Sequence, residues 1–303
     1  MIIDIKNLNK TYKGGVQALR DVNLKVETGM FGLLGPNGAG KSTLMKILAT
    51  LEIQTSGDII IDGRDISLQR KTIRKSLGYL PQFFGVYPQM SGYEFLAYVA
   101  QLNGITRKEV HDRVMLTLKD VALDAVRDRK VKTYSGGMLR RLGVAQALIH
   151  DPNLLIVDEP TVGLDPEERI RFRNVLATIG KKKVILLSTH IVGDISSTCD
   201  DLAILSQGKI VYRGTPGALI KKAKSKAWLV ECPEKAYSEI AAKMQIISTI
   251  PAQGFLQMRV VGNPVPGFNF EPVDANLEDA YMNFMEEHTG ERIDEDLLQE
   301  TTA

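Results

Sequence analysis

The sequence predicts an α/β fold in which helices pack against a largely parallel sheet. Three short apolar runs, at residues 30–34, 154–157 and 184–187, have the length and composition of buried strands. A segment with helical spacing, residues 167–179, separates the last two runs. Buried strands that alternate with helices are typical of parallel sheets joined by right-handed crossovers.

The segments before and between these runs differ in their secondary-structure pattern. The first 80 residues alternate short β-rich runs with turn signals, as in DVNLKVE and GDIIIDGRDI, and we expect an antiparallel β subdomain there. From about residue 83 to residue 147 helical patterns replace the strands, at 93–101, 108–118 and 140–148. This stretch predicts a helical insert in the α/β core.

The chain becomes less regular after residue 214, which predicts a second, smaller domain. We expect a Lys-rich helix at 218–226, a strand at 228–232, a helix at 234–243, two strands near 246–250 and 256–261, and a final amphipathic helix at 277–285. The sequence therefore predicts domains at 1–215 and 216–303, the second a small α+β appendage.

Charge is divided unevenly along the 303 residues, although the net charge is only +2. From residue 227 onward there are 4 Lys and Arg against 14 Asp and Glu, whereas the preceding part has 34 against 22. The basic part could face phosphates, of a nucleotide or of anionic lipid headgroups, or be solvated surface. The chain contains no apolar run of about 18 residues and no secretory signal pattern, and its two cysteines predict reduced thiols in the cytosol.

A phosphate-binding loop follows the first buried run. GPNGAGKS fits the pattern G-x-x-x-x-G-K-[ST] between a strand and a helix. Its glycines allow successive amides to curl around a phosphate, and the helix N-terminus adds partial positive charge. Lys41 is predicted to contact the β- and γ-phosphates, and Ser42 to ligate Mg²⁺. The predicted nucleotide-binding residues are Gly35, Pro36, Asn37, Gly38, Ala39, Gly40, Lys41, Ser42 and Thr43.

An acidic pair ends the next buried run, LLIVDEP. Asp158 is predicted at the C-terminal end of a parallel strand, where ligands of open α/β sheets bind, and can hold Mg²⁺ through water. Glu159 suits the positioning or deprotonation of an attacking water. Helix capping is the alternative for such a pair. Together the loop and the acidic pair predict a phosphate-loop NTPase core.

A second glycine-rich stretch, KTYSGGMLRRL, lies more than ninety residues beyond the phosphate loop and lacks its lysine. On its own it fits two descriptions. Ser135 could be a plain helix N-cap followed by flexible glycines, or the stretch could be an incomplete anion-binding loop at a helix N-terminus.

Seven motifs in order resemble the ATP-binding cassette (ABC) family across residues 1 to about 215. They are Tyr12, GPNGAGKST, YLPQ with Gln82, YSGGM, LLIVDEP, GLDP and STH with His190. The resemblance implies a head-to-tail dimer in which each ATP lies between the phosphate loop of one copy and the Ser-Gly-Gly signature of the other. The second loop would then be half of a site.

The resemblance also implies roles for single residues. Ser135, Gly136 and Gly137 would meet the partner's γ-phosphate, and a side chain on either glycine would hold the chain away from it. Tyr12 would stack on adenine, although a strand-edge tyrosine is the alternative. Gln82 would contact Mg²⁺ and the attacking water. Asp165 would cross the dimer interface, and His190 would hydrogen-bond the γ-phosphate.

The signature departs from the usual LSGGQ, because Tyr134 replaces Leu and Met138 replaces Gln. YSGGM followed by RRL resembles ATPase subunits of bacterial exporters whose membrane part is a separate polypeptide, as does NLEDAYMNFM near the C-terminus. We therefore expect an ATP- and Mg²⁺-dependent export ATPase. It would pair with itself or a paralogous ATPase and work with a separate transmembrane permease, in the cytoplasm on the inner face of the membrane.

The competing hypothesis is a non-transport cassette protein that acts on ribosomes or nucleic acid. The basic front part permits it. Such proteins commonly carry two cassettes or a long coiled-coil insert, and this sequence has neither. It also lacks a basic tract interleaved with aromatic residues of the kind that stacks on bases. We therefore expect no nucleic-acid partner.

Overall fold

The computed structural model describes residues 2–27, 29–252 and 254–289. The chain forms two compact units, Met1–Arg213 and Gly214–Ala303, which are described separately. We expected the division two residues later, between 215 and 216. Among the described residues no helix is long and apolar enough to cross a membrane. The end of the expected second domain, 290–303, lies outside the described residues.

The first unit contains two sheets. Its strands are β1 Ile3–Thr11, β2 Gln17–Val26, β3 Met30–Leu34, β4 Ser56–Ile61, β5 Arg64–Asp65, β6 Leu77–Leu80, β7 Leu154–Asp158, β8 Val184–Thr189, β9 Asp201–Ser206 and β10 Lys209–Gly214. One sheet has the order β2-β1-β4-β5 with antiparallel pairs. The other has the order β10-β9-β3-β8-β7-β6.

The second of these sheets is the parallel core. Strands β9, β3, β8, β7 and β6 pair in parallel with their neighbours. Every residue of β3, β7 and β8 is buried, as expected for central strands covered on both faces. Because these strands run in the same direction, their carboxyl ends meet at one edge. The predicted α/β fold with an antiparallel subdomain is confirmed.

The helices of the first unit are α1 Lys41–Leu48, α2 Arg70–Lys75, α3 Gly92–Leu102, α4 Arg107–Asp120, α5 Gly136–Leu148, α6 Pro166–Gly180 and α7 Val192–Ser196. Helices α3, α4 and α5 form the expected helical insert. Ser91 and Glu94 make a reciprocal capping box at α3, and Thr106 and Glu109 do so at α4. Sequence signals at the helix starts therefore determine where the insert's helices begin.

Helix α1 anchors the phosphate loop in the core. Its apolar side chains Leu44, Met45, Ile47 and Leu48 are fully buried. They belong to one cluster with residues from both sheets of the first unit. Because α1 packs against both sheets through these side chains, its N-terminus, where the phosphate loop ends, is held in a fixed position.

The second unit is an antiparallel sheet with helices. Its elements are α8 Pro216–Lys222, β11 Ala227–Pro233, α9 Tyr237–Ala241, β12 Gln245–Ala252, β13 Phe255–Val261, β14 Phe270–Pro272 and α10 Leu277–Thr289. The sheet order is β12-β13-β11-β14. Val230, Cys232, Met258 and Val260 form the centre of a separate core.

Three details of the second unit differ from the sequence expectations. Helix α8 ends at Lys222, and Ser225 beyond it adopts a left-handed φ of 64°. The helix expected at 234–243 is a 3₁₀ turn followed by the short α9. Strand β14 was not predicted, because three residues in a segment rich in Pro and Gly form a strand only by pairing with β11.

One ion pair, between a buried carboxylate and a partly buried arginine, ties α10 to the sheet of this unit. Asp279 is fully buried and receives Arg259 Nε at 2.9 Å and Arg259 Nη2 at 2.6 Å. Its carboxylate also accepts from the Asn276 backbone at 2.7 Å, and the Asn276 side chain caps the Asp279 amide in return. Removing one partner of such a pair leaves an uncompensated buried charge.

We predict that Asp279→Asn destabilises the second unit by about 1–3 kcal/mol, because the partly buried Arg259 loses its charged partner. Urea unfolding followed by the fluorescence of Trp228, the chain's only tryptophan and a residue of β11, measures this. The matched control is Lys243→Gln, which breaks the exposed pair with Glu239 and should cost under about 1 kcal/mol. Equal effects of the two substitutions would contradict this account of the ion pair.

Candidate functional site

The phosphate loop connects β3 to α1 and needs glycine for two separate reasons. Gly38 and Gly40 have left-handed φ values of 78° and 105°. A Cβ on Gly40 would lie 2.5 Å from the carbonyl oxygen of Ala18, and one on Gly35 would lie 2.2 Å from that of Leu205. The backbone therefore curls in a conformation that side chains would prevent, directly before the N-terminus of α1.

Lys41 lies beneath this loop and is buried. Its Nζ donates to the carbonyl oxygens of Gly35 at 2.7 Å and Pro36 at 3.1 Å, and pairs with Glu159 Oε1 at 3.1 Å. A buried ammonium with three oxygen partners holds the loop against the end of β7. It is also a positive charge placed inside an anion-binding turn.

Asp158 ends β7 and gathers two hydroxyl groups. Its Oδ1 accepts from Ser42 at 3.2 Å and from Ser188 in β8. Burial raises the pKa of Asp158, against the opposing effect of these two hydrogen bonds. Ser188 was not among the predicted site residues. The signal that could have found it is its position two residues before His190, where the parallel register pairs it with Asp158.

Glu159 follows in a left-handed conformation, with φ of 47°. Its amide donates to the Ser188 carbonyl at 3.0 Å, and its Oε2 lies 2.7 Å from His190 Nδ1. Burial alone would raise the pKa of Glu159. The hydrogen bond with His190 and the charge of Lys41 outweigh burial, so the pKa is lowered from its ordinary value. A buried, ionised carboxylate can accept a proton, and a strained backbone is typical of functional positions.

Tyr12 lies just after β1, beside α1. Its hydroxyl is 3.3 Å from Thr43 Oγ1. The Lys10 ammonium lies 4.7 Å from the centre of its ring and is held by the Ile53 carbonyl at 2.7 Å and by Glu52 at 3.2 Å. The ring is thus fixed next to the phosphate loop with a cation against it.

The Ser-Gly-Gly signature starts α5. Ser135 caps this helix by accepting from the Met138 amide at 3.2 Å. Gly136 is exposed, and a Cβ there would meet only Leu164 Cδ2 at 3.7 Å. A Cβ on Gly137 would lie 1.8 Å from Glu168 Oε2. A side chain at position 137 would therefore require Glu168 to move, a restriction within the chain itself that the sequence did not reveal.

Tyr134 also has a local role that the sequence did not show. It is buried, and its hydroxyl donates to the Val126 carbonyl at 3.0 Å. A Cβ on Gly92, the first residue of α3, would lie 2.3 Å from the same hydroxyl. Tyr134, which replaces the usual leucine, therefore links the signature to the start of α3 and, through Val126, to the segment between α4 and α5.

Gln82 is held through its backbone carbonyl and Asp165 through its side chain. The carbonyl of Gln82, two residues after β6, accepts a hydrogen bond from Arg140 of α5. Asp165 caps α6 by accepting from the Glu168 amide at 2.8 Å, and it is exposed. Each residue connects a loop to a helix.

The structure brings Lys41, Ser42, Asp158, Glu159 and His190 into one connected cluster. In the described part of the chain, no hydrogen bond or ion pair joins this cluster to Gln82, Ser135, Gly136, Gly137 or Asp165. The fold and this cluster define a phosphate-loop NTPase.

Comparison with known proteins narrows this class. The family described as ABC transporter matches residues 19–162. The ABC transporter ATP-binding protein YxlF of Bacillus subtilis is 32% identical over 85% of this chain and 86% of its own length. The Nod factor export ATP-binding protein I of Cupriavidus metallidurans is 37% identical over 72% and 73%.

A solved structure agrees with these relatives. The dimeric, post-hydrolysis state of the ATP-binding cassette MJ0796, bound to ADP and Pi, has a TM-score of 0.63 and 25% identity, and covers 70% of this chain and 98% of that one. The chain belongs to the ATP-binding subunits of ABC transporters, and it binds and hydrolyses ATP. These comparisons give no support to a cassette that acts on ribosomes or nucleic acid.

We predict that alanine destabilises the first unit at one signature glycine and not at the other. Gly137→Ala should destabilise the first unit by about 1–3 kcal/mol, because the new methyl group displaces Glu168 from Arg141, 3.5 Å away. Gly136→Ala should leave stability within about 0.5 kcal/mol, because its Cβ makes only an ordinary van der Waals contact with Leu164. Thermal unfolding followed by far-UV circular dichroism measures both. Equal stability of the two variants would show that Glu168 does not restrict position 137.

Proposed function

We propose that this chain is the ATPase subunit of an exporter and that Glu159 is its general base. The observation that carries the assignment is the chain of contacts from Lys41 through Glu159 to His190 at the carboxyl edge of the parallel sheet. An ionised carboxylate that lies beside a phosphate-binding loop can take the proton of a water attacking the γ-phosphate.

His190 has a defined hydrogen-bonding direction in this proposal. Because Glu159 is ionised, the 2.7 Å contact makes Nδ1 of His190 the donor. Nε2 then remains for the γ-phosphate, to which it donates when the imidazole carries both protons. Lys41 contributes positive charge at the β- and γ-oxygens, so the developing charge of the transition state meets fixed donors.

Magnesium fits the residues at the end of β7. Ser42 Oγ and Asp158 Oδ1 lie 3.2 Å apart, and both are hard oxygen donors of the type that Mg²⁺ prefers. We propose that Ser42 ligates the ion directly, that Asp158 holds it through water, and that Gln82 contacts it from its loop. Bound there, the ion would neutralise charge on the β- and γ-phosphates.

The rest of the nucleotide site would come from the loop, from Tyr12 and from a second subunit. In the proposal the amides of residues 35–43 surround the phosphates and Tyr12 stacks on adenine. Ser135, Gly136 and Gly137 close the site of a second copy or of a paralogous ATPase, and Asp165 reaches across the interface. The exposure of Ser135 and Gly136 supports this, as does the dimeric state of the related cassette.

We propose that the partner of this subunit is a separate transmembrane permease, whose conformation changes when ATP closes the dimer. The subunit would then lie in the cytoplasm against the inner face of the membrane. Two observations support it. A relative of similar sequence is named for export. In addition, the segment after Gln82 exposes large aromatic side chains, Phe83 at 82% and Tyr87 at 52%, with Tyr98 of α3 beside Tyr87. An exposed apolar patch of this kind suits a helix of a membrane protein.

We predict that Glu159→Gln lowers MgATP turnover at least 100-fold, because a general base is lost. The ATP-bound dimer should then accumulate, which size-exclusion chromatography with light scattering in MgATP measures. Adding Gly136→Asp should abolish that dimer without abolishing ATP binding by the monomer, since the new carboxylate would face the partner's phosphates. Glu167→Gln, an exposed change in α6, is the matched control. Wild-type hydrolysis by Glu159→Gln would refute the assignment of the base.

We also predict that the chain co-purifies with a hydrophobic multi-span polypeptide from detergent-solubilised membranes of its own organism. Phe83→Asp should weaken this association at least tenfold, because a charge replaces an exposed aromatic side chain within the patch. Phe255→Asp, at an aromatic residue of similar type in the second unit, should not. Quantitative mass spectrometry of the purified material compares the variants. Recovery only with ribosomes or DNA would overturn the transport proposal.

A further inference from the structure

One buried carboxylate in the first unit has no part in the mechanism above. Asp194 in α7 is 1% exposed. Its Oδ2 accepts a hydrogen bond from Thr161 Oγ1 and a longer one, of 3.4 Å, from Thr189 Oγ1. Burying a carboxylate costs free energy unless its oxygens accept hydrogen bonds. The two hydroxyl groups therefore stabilise Asp194 in its buried position.

The two hydroxyl groups belong to the two segments that carry the Glu159–His190 pair. Thr161 lies two residues after Glu159, and Thr189 lies immediately before His190. Thr189 Oγ1 also accepts from the Ile191 amide at 2.9 Å. The hydroxyl of Thr189 thus closes a turn around His190, and Asp194 joins that turn to the segment leaving Glu159.

Two arginines of α6 face the same region. Arg173 Nη1 donates to the Gly193 carbonyl at 2.7 Å, and Arg169 Nε donates to the Leu164 carbonyl at 3.1 Å. Burial raises the pKa of Asp194, and the hydrogen bond from Thr161 and the charges of the two arginines oppose that rise. No described cation lies within 4.0 Å of the carboxylate, so the hydroxyl groups are its close partners.

We propose that Asp194 is a positioning residue that sets the distance between Glu159 and His190. This rests on the proposed function of that pair. Asp194 touches neither side chain. It holds the backbone on either side of the contact, at Thr161 and at Thr189, so that the carboxylate and the imidazole meet at 2.7 Å. A residue needed only to anchor α7 would not have to reach both segments.

The first test compares turnover of MgATP by the full chain and its variants. Asp194→Ala should lower kcat on the order of 10- to 100-fold with the KM for ATP nearly unchanged, because catalytic groups are misplaced while the phosphate loop is intact. Asp194→Asn, which keeps an acceptor oxygen, should recover part of the loss. In the His190→Ala background Asp194→Ala should cost nothing further. Asp201→Asn, at a half-exposed carboxylate paired with Arg213, is the control for charge.

The second test needs no turnover. With ¹³C-labelled histidine the four histidines give separate signals, and His190→Ala identifies one of them. Glu159→Gln should move the His190 signal in the otherwise unchanged protein. It should move that signal much less when combined with Asp194→Ala or with the milder, isosteric Thr161→Val, since the contact is then lost, and Asp194→Asn should give an intermediate result.

The outcomes separate this inference from the function on which it rests. If Glu159→Gln leaves the His190 signal in place in the otherwise unchanged protein, the Glu159–His190 pair itself is wrong. If Glu159→Gln moves the signal equally with and without Asp194→Ala, Asp194 does not position the pair. Additive losses of kcat for Asp194→Ala and His190→Ala would likewise overturn the positioning role.

Discussion

The buried ion pair between Lys41 and Glu159 is the constraint around which the nucleotide edge of the first unit is arranged. Both side chains are almost completely buried, with 5% and 7% of their surface exposed. Buried charges are tolerated only with partners of opposite sign and further hydrogen bonds. Here Lys41 has two loop carbonyl oxygens in addition, and Glu159 has His190. A charged nucleotide that binds at this edge has to compete with Glu159 and the loop carbonyl oxygens for the ammonium group of Lys41.

Parallel pairing of β3, β8 and β7 makes this arrangement possible. The phosphate loop leaves the end of β3, the acidic pair leaves the end of β7, and Ser188 to His190 leave the end of β8. Since all three strands end at the same edge, residues more than a hundred positions apart meet within hydrogen-bonding distance. Hydroxyl groups then satisfy the carboxylates that burial would otherwise destabilise, Ser42 and Ser188 for Asp158, and Thr161 and Thr189 for Asp194.

The signature glycines illustrate how one pattern can have two physical causes. Gly136 is open to its surroundings, which fits a surface that another subunit approaches. Gly137 is closed by Glu168 of the same chain. Tyr134 adds a second internal link, through Val126. These internal contacts hold the loop in place within the chain, and in the proposed dimer a preformed loop would lose less conformational entropy on assembly.

The local sequence pattern was sufficient to predict the elements whose signals lie within a few residues of one another. Alternating and apolar runs predicted the central strands, and a single stretch of eight residues predicted the phosphate loop. The strand that was missed, β14, depends on a partner distant in sequence. A three-residue strand has too little intrinsic preference to form without the neighbour it pairs with.

The same division applies to the site. Residue types and strand-end positions identified Lys41, Asp158 and Glu159 as candidates, because phosphate chemistry requires those groups, and the resemblance to the ABC family added His190. The roles of Ser188, Tyr134, Glu168 and Asp194 became visible only in the folded chain. Their contacts join segments 27 to 33 residues apart or, for Tyr134, fasten a loop by a hydrogen bond of its own. No local spacing encodes such pairs, since the sheet register and the packing of α5 against α6 decide which side chains meet.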